Sequence, residues 1–285
     1  MKTTYLILFA AIALCFAACQ KEIDLNYRPV NKLYVVTGYT NDTISTVRIT
    51  RTVGMYDSID TSPSARITDA KVSLRSEDGK EFLLTPNDSN DFVSTEVLAE
   101  VPMSKFDLSV QVGKELFATS VQLMPSAVMD TVEFFSQTVM APLKLYYGKI
   151  VVRTEEGANC YYRYIVRHEG EEIFSDLYKH ESGMPSVVSL TFLCGASGED
   201  GKIIVDPETE RELHEGDNME VELQRIDLHT YNYLHSVSIM GQTNSNPIPY
   251  YQGHCLGYYH AYFPVCTSLP FLFSKKPGLR PKSSM

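Results

Sequence analysis

Ala70-Lys71-Val72-Ser73-Leu74-Arg75, followed by Glu77-Asp78-Gly79-Lys80 and then Phe82-Leu83-Leu84, is the stretch whose reading decides the fold. In its first part Val72 and Leu74 point one way while Lys71, Ser73 and Arg75 point the other, a period of two that belongs to strands. Asp-Gly between two such runs is a hairpin signal, because glycine takes a positive φ without a steric penalty. A strand, a tight turn and a returning strand therefore sit here.

The same grammar extends in both directions. Upstream, Leu33 to Tyr39 forms a first strand closed by Thr40-Asn41-Asp42, and Thr46 to Arg51 alternates with Val47 and Ile49 inward. A polar loop from Tyr56 to Arg66 carries Asp57, Asp60, Ser62, Pro63 and Ser64. Downstream, Phe106 to Val112, Gly113-Lys114 and Leu116 to Leu123 make a second hairpin, and Pro125 closes the unit. Residues 32–125 thus hold about seven short strands at sandwich spacing, the N-terminal β-sandwich domain.

Residues 126–250 repeat the pattern as a second β-sandwich domain. Its strands include Thr131 to Phe135, Lys144 to Arg153, Val187 to Leu193 and Met219 to Leu223. Cys160 to Arg167 has two alternating sets that are both partly aromatic, so this strand is expected to be covered on both faces, with arginine stems over tyrosine rings. One segment breaks the β period. Asp227 is an N-cap, and Leu228, Tyr231, Leu234, Val237 and Ser238 follow at helical spacing before Gly241, giving a helix over about 227–240 against the second sandwich. Residues 251–285 are a C-terminal aromatic segment, Gly257 to Phe263, and a tail containing Pro and Lys. The expected class is all-β: two β-sandwich domains of immunoglobulin-like or transthyretin-like type, with one short helix near the C-terminal end.

The N-terminus carries an address. Lys2 precedes an apolar run from Tyr5 to Ala18 that stops short of the roughly 18 to 20 residues a spanning helix needs, so residues 1–18 read as a signal peptide. Leu14-Cys15-Phe16-Ala17-Ala18-Cys19 looks like a lipoprotein cleavage site, although Phe16 stands where an aliphatic residue is usual. Cys19 is the expected lipidation site, and residues 19–31 a lipidated tether. A plain secretory peptide cut near Ala18 is the alternative. Acyl chains contribute about 0.8 kcal/mol per buried methylene, enough for a membrane partner held through the anchor alone.

Charge and chemistry narrow the function. The net charge of -10 becomes -11 once Lys2 leaves with the leader, and an acidic surface excludes nucleic acid as a partner. Cys160, Cys194, Cys255 and Cys266 remain for an oxidising compartment, with three possible pairings. Sequence proximity alone favours Cys160 with Cys194 and Cys255 with Cys266; four unpaired, mostly buried cysteines are the alternative. His254, Cys255, His260 and Cys266 match no zinc spacing, and the acids Glu199, Asp200, Asp206, Glu208 and Glu210 match no calcium loop. His229 and His235 lie six apart and share no helix face. No Gly-x-Ser-x-Gly occurs. No metal, cofactor or catalytic residue is therefore expected, and the chain is not expected to be an enzyme. Eighteen tyrosines and no tryptophan give rings with polar tips, and Tyr250, Tyr251, Tyr258, Tyr259 and Tyr262 are the candidate binding set for a glycan or peptide; core filling is the competing use. Asp42-Thr43-Ile44, Asp57-Ser58-Ile59 and Asp130-Thr131-Val132 resemble Asp-Ser/Thr-apolar O-glycosylation acceptors.

Several stretches together resemble a Bacteroidetes outer-membrane lipoprotein family known only as a domain of unknown function. They are Cys19-Gln20-Lys21-Glu22-Ile23-Asp24, Lys32 to Gly38 with Thr40-Asn41-Asp42, Ile67 to Val72 leading to Asp78-Gly79, and Ser245-Asn246-Pro247. Members commonly occur beside TonB-dependent receptors. The resemblance implies a surface-anchored lipoprotein acting as a non-catalytic accessory or binding component of a TonB-dependent nutrient-uptake system. Lys21, Glu22 and Asp24 look like the export signal that sends such lipoproteins to the outer face of the outer membrane. A fimbrial or adhesin-like structural subunit is the second reading.

Overall fold

The computed structural model describes residues 32–275 except 54–57, 59, 95, 97–102, 207–210 and 244–246. The expectations at Cys19, Lys21, Glu22 and Asp24, the leader, the tether and the tail from residue 276 lie outside the described residues, as do Asp57, Glu208 and Glu210.

The first sandwich contains β1 (Tyr34–Thr40), β2 (Ser45–Arg51), β3 (Ala70–Ser76), β4 (Glu81–Pro86), β5 (Phe92–Ser94), β6 (Lys105–Val112) and β7 (Glu115–Gln122). They pair in the order β1-β2-β5-β4-β3-β6-β7. The path closes over one core in which Val36, Val47 and Ile49 join Val72, Leu74, Leu108 and Val110. The deciding hairpin is built as its alternation requires. Val72 faces Leu84 and Leu74 faces Phe82 across the β3–β4 ladder, and all four are buried, whereas Leu83 is 58% exposed. Gly79 turns the chain at φ 86°, a conformation that would strain a side chain.

The second sandwich contains β8 (Val128–Met140), β9 (Leu143–Arg153), β10 (Cys160–His168), β11 (Glu171–His180), β12 (Val187–Ser197), β13 (Ile203–Asp206), β14 (Arg211–Leu213) and β15 (Asn218–Ile226). Cys160, Tyr162, Tyr164 and Val166 of β10 and Val221 and Leu223 of β15 pack into one core with Ile150, Val152 and Phe192. β10 is covered on both faces. Its other set, Tyr161, Arg163, Ile165 and Arg167, points out of this core. Tyr161 meets Tyr231 at a centroid distance of 5.0 Å. Arg163 meets tyrosine by a hydrogen bond to the Tyr258 hydroxyl, not by lying over a ring.

The helix, α1 (Leu228–Ser238), begins at Asp227, whose carboxylate accepts from Thr230 N at 2.7 Å. The same carboxylate accepts from Gln122 N of β7 at 3.2 Å, so the cap also ties the helix to the first sandwich. The expected apolar face is covered only in part: Leu234 packs against the first core and Tyr231 is half-buried. Leu228 is 50% and Val237 41% exposed, while Thr230 and Tyr233 are buried. Tyr233 belongs to the first core. A short helix wedged between two bodies buries the residues that reach both, and its own periodicity cannot reveal that.

The segment after the helix departs most from expectation. The expected separate aromatic segment is built into both sandwiches. β16 (Cys255–Leu256) and β17 (Tyr259–Ala261) run parallel to β1 at the edge of the first sandwich. The chain then crosses back. β18 (Val265–Pro270) pairs antiparallel with β15, and β19 (Phe273–Lys275) pairs parallel with β8. Residues 250–275 are therefore a strap that enters both cores, with Tyr250, Tyr251 and Tyr259 in the first and Phe271 in the second. Gly257 permits the approach, since it sits at φ 101° and a Cβ there would collide with the Val36 carbonyl.

The expected disulfides are not found among the described cysteines. All four cysteines are free. Cys255 lies beside Tyr34 of β1, whereas Cys266 lies opposite Glu222 of β15; between them the chain changes sandwich, so closeness in sequence does not bring the sulfurs together. Cys160 and Cys194 are buried in the second core, on strands of different sheets. Burial pushes the Cys194 and Cys255 thiols up to about 12, holding both protonated.

A candidate ligand cleft between the two sandwiches

The strap brings three sets of residues to one place. Thr37, Gly38 and Tyr39 of β1 with Thr46 and Arg48 of β2 form one wall. Arg163, Ile165 and Arg167 of β10 with Gln224 of β15 form the other, and Tyr258, His260 and Tyr262 of the strap lie between them. The cleft they enclose has a volume of 280 Å³, at the small end of ligand pockets, which run roughly 300 to 1,000 Å³.

Strand geometry explains why these side chains converge. Alternation puts Arg163, Ile165 and Arg167 on the face of β10 turned away from its own core. Tyr258 and His260 are likewise two apart and share a side of the strap. Tyr39 pairs with His260 across the β1–β17 ladder.

Most charges in the cleft are matched internally. Arg48 makes a two-pronged contact with Asp91, both distances 2.9 Å, and Arg66 adds a third at 3.0 Å. Arg167 holds Glu222 at 2.7 Å and Glu220 at 2.9 Å; Glu222 also accepts from Gln224 Nε2 at 2.7 Å. Arg163 differs. It donates to the Tyr258 hydroxyl at 3.0 Å, and its nearest carboxylate, Glu172, stands 3.9 Å away. A guanidinium has five donors in a fixed fork, so Arg163 is the least neutralised cation in the cleft.

Beside it lies a neutral histidine. His260 is 4% exposed, and neither ring nitrogen makes a hydrogen bond. The Gly38 carbonyl is near enough to favour the charged ring slightly but lacks hydrogen-bond geometry. Burial, with the Arg163 charge adding to it, pushes the His260 pKa down to about 3. The imidazole stacks on Tyr262 at 4.7 Å and 8°, and Gln224 Oε1 in the same wall also has no partner.

The five candidate tyrosines divide. Tyr250, Tyr251, Tyr259 and Tyr262 are buried, and three of them fasten the strap. The Tyr251 hydroxyl donates to Val36 O at 3.1 Å, the Tyr250 hydroxyl donates to Tyr259 O, and Thr230 Oγ1 bonds the Tyr250 hydroxyl at 3.1 Å. Desolvation raises the pKa of each of these phenols. Only Tyr258 and Tyr262 line the cleft, so the expected groove of five rings is a core with two rings at its surface. Arg48, Arg163, Arg167 and Gln224 were not singled out by sequence. The signal available was the pair of arginines two turns of the pleat apart, on a strand whose pattern called for cover on both faces. His254, Cys255, His260 and Cys266 do not converge, and among the described residues no group of three His, Cys, Asp or Glu is placed to hold a metal.

Comparison with other proteins gives a family and little else. Among solved structures, a two-fibronectin-type-III-domain segment of chicken tenascin aligns over 84% of this chain and 99% of its own length, with 10% identity and a TM-score of 0.22. At that score the sandwich architecture stands on this chain's own strands. No curated protein matches. The family model described as a domain of unknown function (DUF4249) matches residues 20–251. That match covers most of the 285 residues, and the chain belongs to this family.

Proposed function

We propose that the protein is a lipid-anchored, surface-facing outer-membrane lipoprotein whose two-sandwich body serves as a non-catalytic binding component of a TonB-dependent nutrient-uptake system. The single observation that carries the reading is the inter-sandwich cleft, a small concave site with paired charges, tyrosine rings and unpartnered polar atoms. Ligand sites favour such seams between domains. The Leu14 to Cys19 junction supports the anchor, and Lys21, Glu22 and Asp24 support outward display. In the cleft no serine or cysteine stands beside a base: its histidine is neutral and lacks hydrogen bonds, which suits binding better than proton transfer.

The fimbrial alternative needs an open edge to accept a neighbour's strand. The β1 edge is filled by the chain's own β16 and β17, so a neighbour's strand would have to use another edge such as β11. In intact cells, wild-type protein should be trimmed by external protease, and Cys19→Ser should leave the membrane fraction. Full protection of the wild type, or a Cys19→Ser protein still held in the membrane, would sink the address on which the reading depends.

A further inference from the structure

The geometry points to a carboxylate as the group this cleft recognises, with Arg163 as its anchor; the inference rests on the cleft being the binding site proposed above. Arg167 and Arg48 are neutralised by close carboxylates of the protein itself. Arg163 keeps most of its fork, because Tyr258 takes one donor and Glu172 remains at 3.9 Å with 46% of its side chain exposed. A planar cation with free donors, fixed from one side by a tyrosine hydroxyl, fits the two oxygens of a carboxylate. Arg163 is itself largely sheltered, with 18% of its side chain exposed, so the attraction is weakly screened.

The surroundings suit a small acid. Tyr39 and Tyr258 offer ring faces, with Gln224 and the neutral His260 buried in the wall behind them. A volume of 280 Å³ accepts one residue or one sugar ring. Two sources share this chemistry: the C-terminal residue of a peptide and a uronic acid. A carboxylate on Arg163 would also offset the charge that helps keep His260 neutral, so binding and the imidazole are coupled.

The test is calorimetric titration of the full chain with four probes: glucuronate, glucose, the tripeptide Ala-Ala-Tyr and its C-terminal amide. One acid should bind about tenfold or more tightly than its neutral partner, the margin a charge-assisted pair gives; which acid it is identifies the source. Arg163→Gln should remove that margin, and Arg163→Lys, which keeps charge but loses the fork, should restore it in part. Glu172→Gln, at an exposed site, should tighten the acid by a few-fold and leave the neutral probe unchanged, a response that a purely structural Arg163 would not produce. Equal binding of acid and neutral partner overturns the carboxylate anchor and leaves the cleft as a binding site. No binding by any probe overturns the inference as well. The wild-type and Glu172→Gln titrations decide the matter even if Arg163→Gln fails to fold, and the intact-cell protease test judges the wider reading separately.

Discussion

His260 shows what burial does to one side chain. An ordinary histidine titrates near 6.5, whereas here desolvation and the nearby Arg163 hold the ring neutral down to about pH 3. The unfolded chain binds a proton below pH 6.5 that the folded chain refuses, so the folded state loses stability as pH falls from 6.5 towards 3 and keeps it in full above 6.5. The loss should approach about 1.4 kcal/mol per pH unit within that window. Burial first, and then the Arg163 charge, set the depth of the effect. Urea denaturation at pH 7 and at pH 4.5 should therefore show a clear drop for the wild type and a smaller one for His260→Phe; equal drops would remove His260 as the cause. Phe271 makes the packing counterpart. It is fully buried and meets Phe134 edge-on at 5.1 Å. Phe271→Ala should cost about 3 to 5 kcal/mol, a lowering of the denaturation midpoint that an ordered but unimportant tail would not give.

At the scale of elements, most of the fold was legible and the strap was not. Val72, Leu74, Phe82 and Leu84 alternate because one face of their hairpin meets a core, so sequence period and burial carry the same information. Asp227 is readable as an N-cap because its role is local. Gly257 to Phe263 gave only aromatic content, which fits a core or a groove equally well. Which partner strand takes it up is a long-range choice, β1 for Tyr259 and β15 for Val265, and no local period encodes it. The same holds for Arg163, whose cleft exists only once β10, β1 and the strap meet. Gly257→Ala would place a Cβ against the Val36 carbonyl in a left-handed conformation, at a cost of about 1 to 3 kcal/mol. Ending the chain after Tyr251 would remove β16 to β19 from both sandwiches. Such a protein should lose single-transition melting and become open to limited proteolysis, whereas unchanged melting would show that the strap is peripheral.

Over the whole molecule, the two sandwiches, the Leu228–Ser238 helix and the returning strap leave a small charged cleft at their seam. The acidic chain, at -10 over its full length, still presents an arginine there that its own carboxylates leave largely unmatched. A lipid anchor at Cys19 would hold that cleft close to the membrane, within reach of a receptor to which captured ligand could pass. Affinity capture of the full, lipidated chain from the native envelope under mild detergent tests this account most directly. A TonB-dependent receptor should come with it in near-stoichiometric amount. Recovery of a ladder of self-assembled copies instead, or of the chain with no receptor at all, would contradict it.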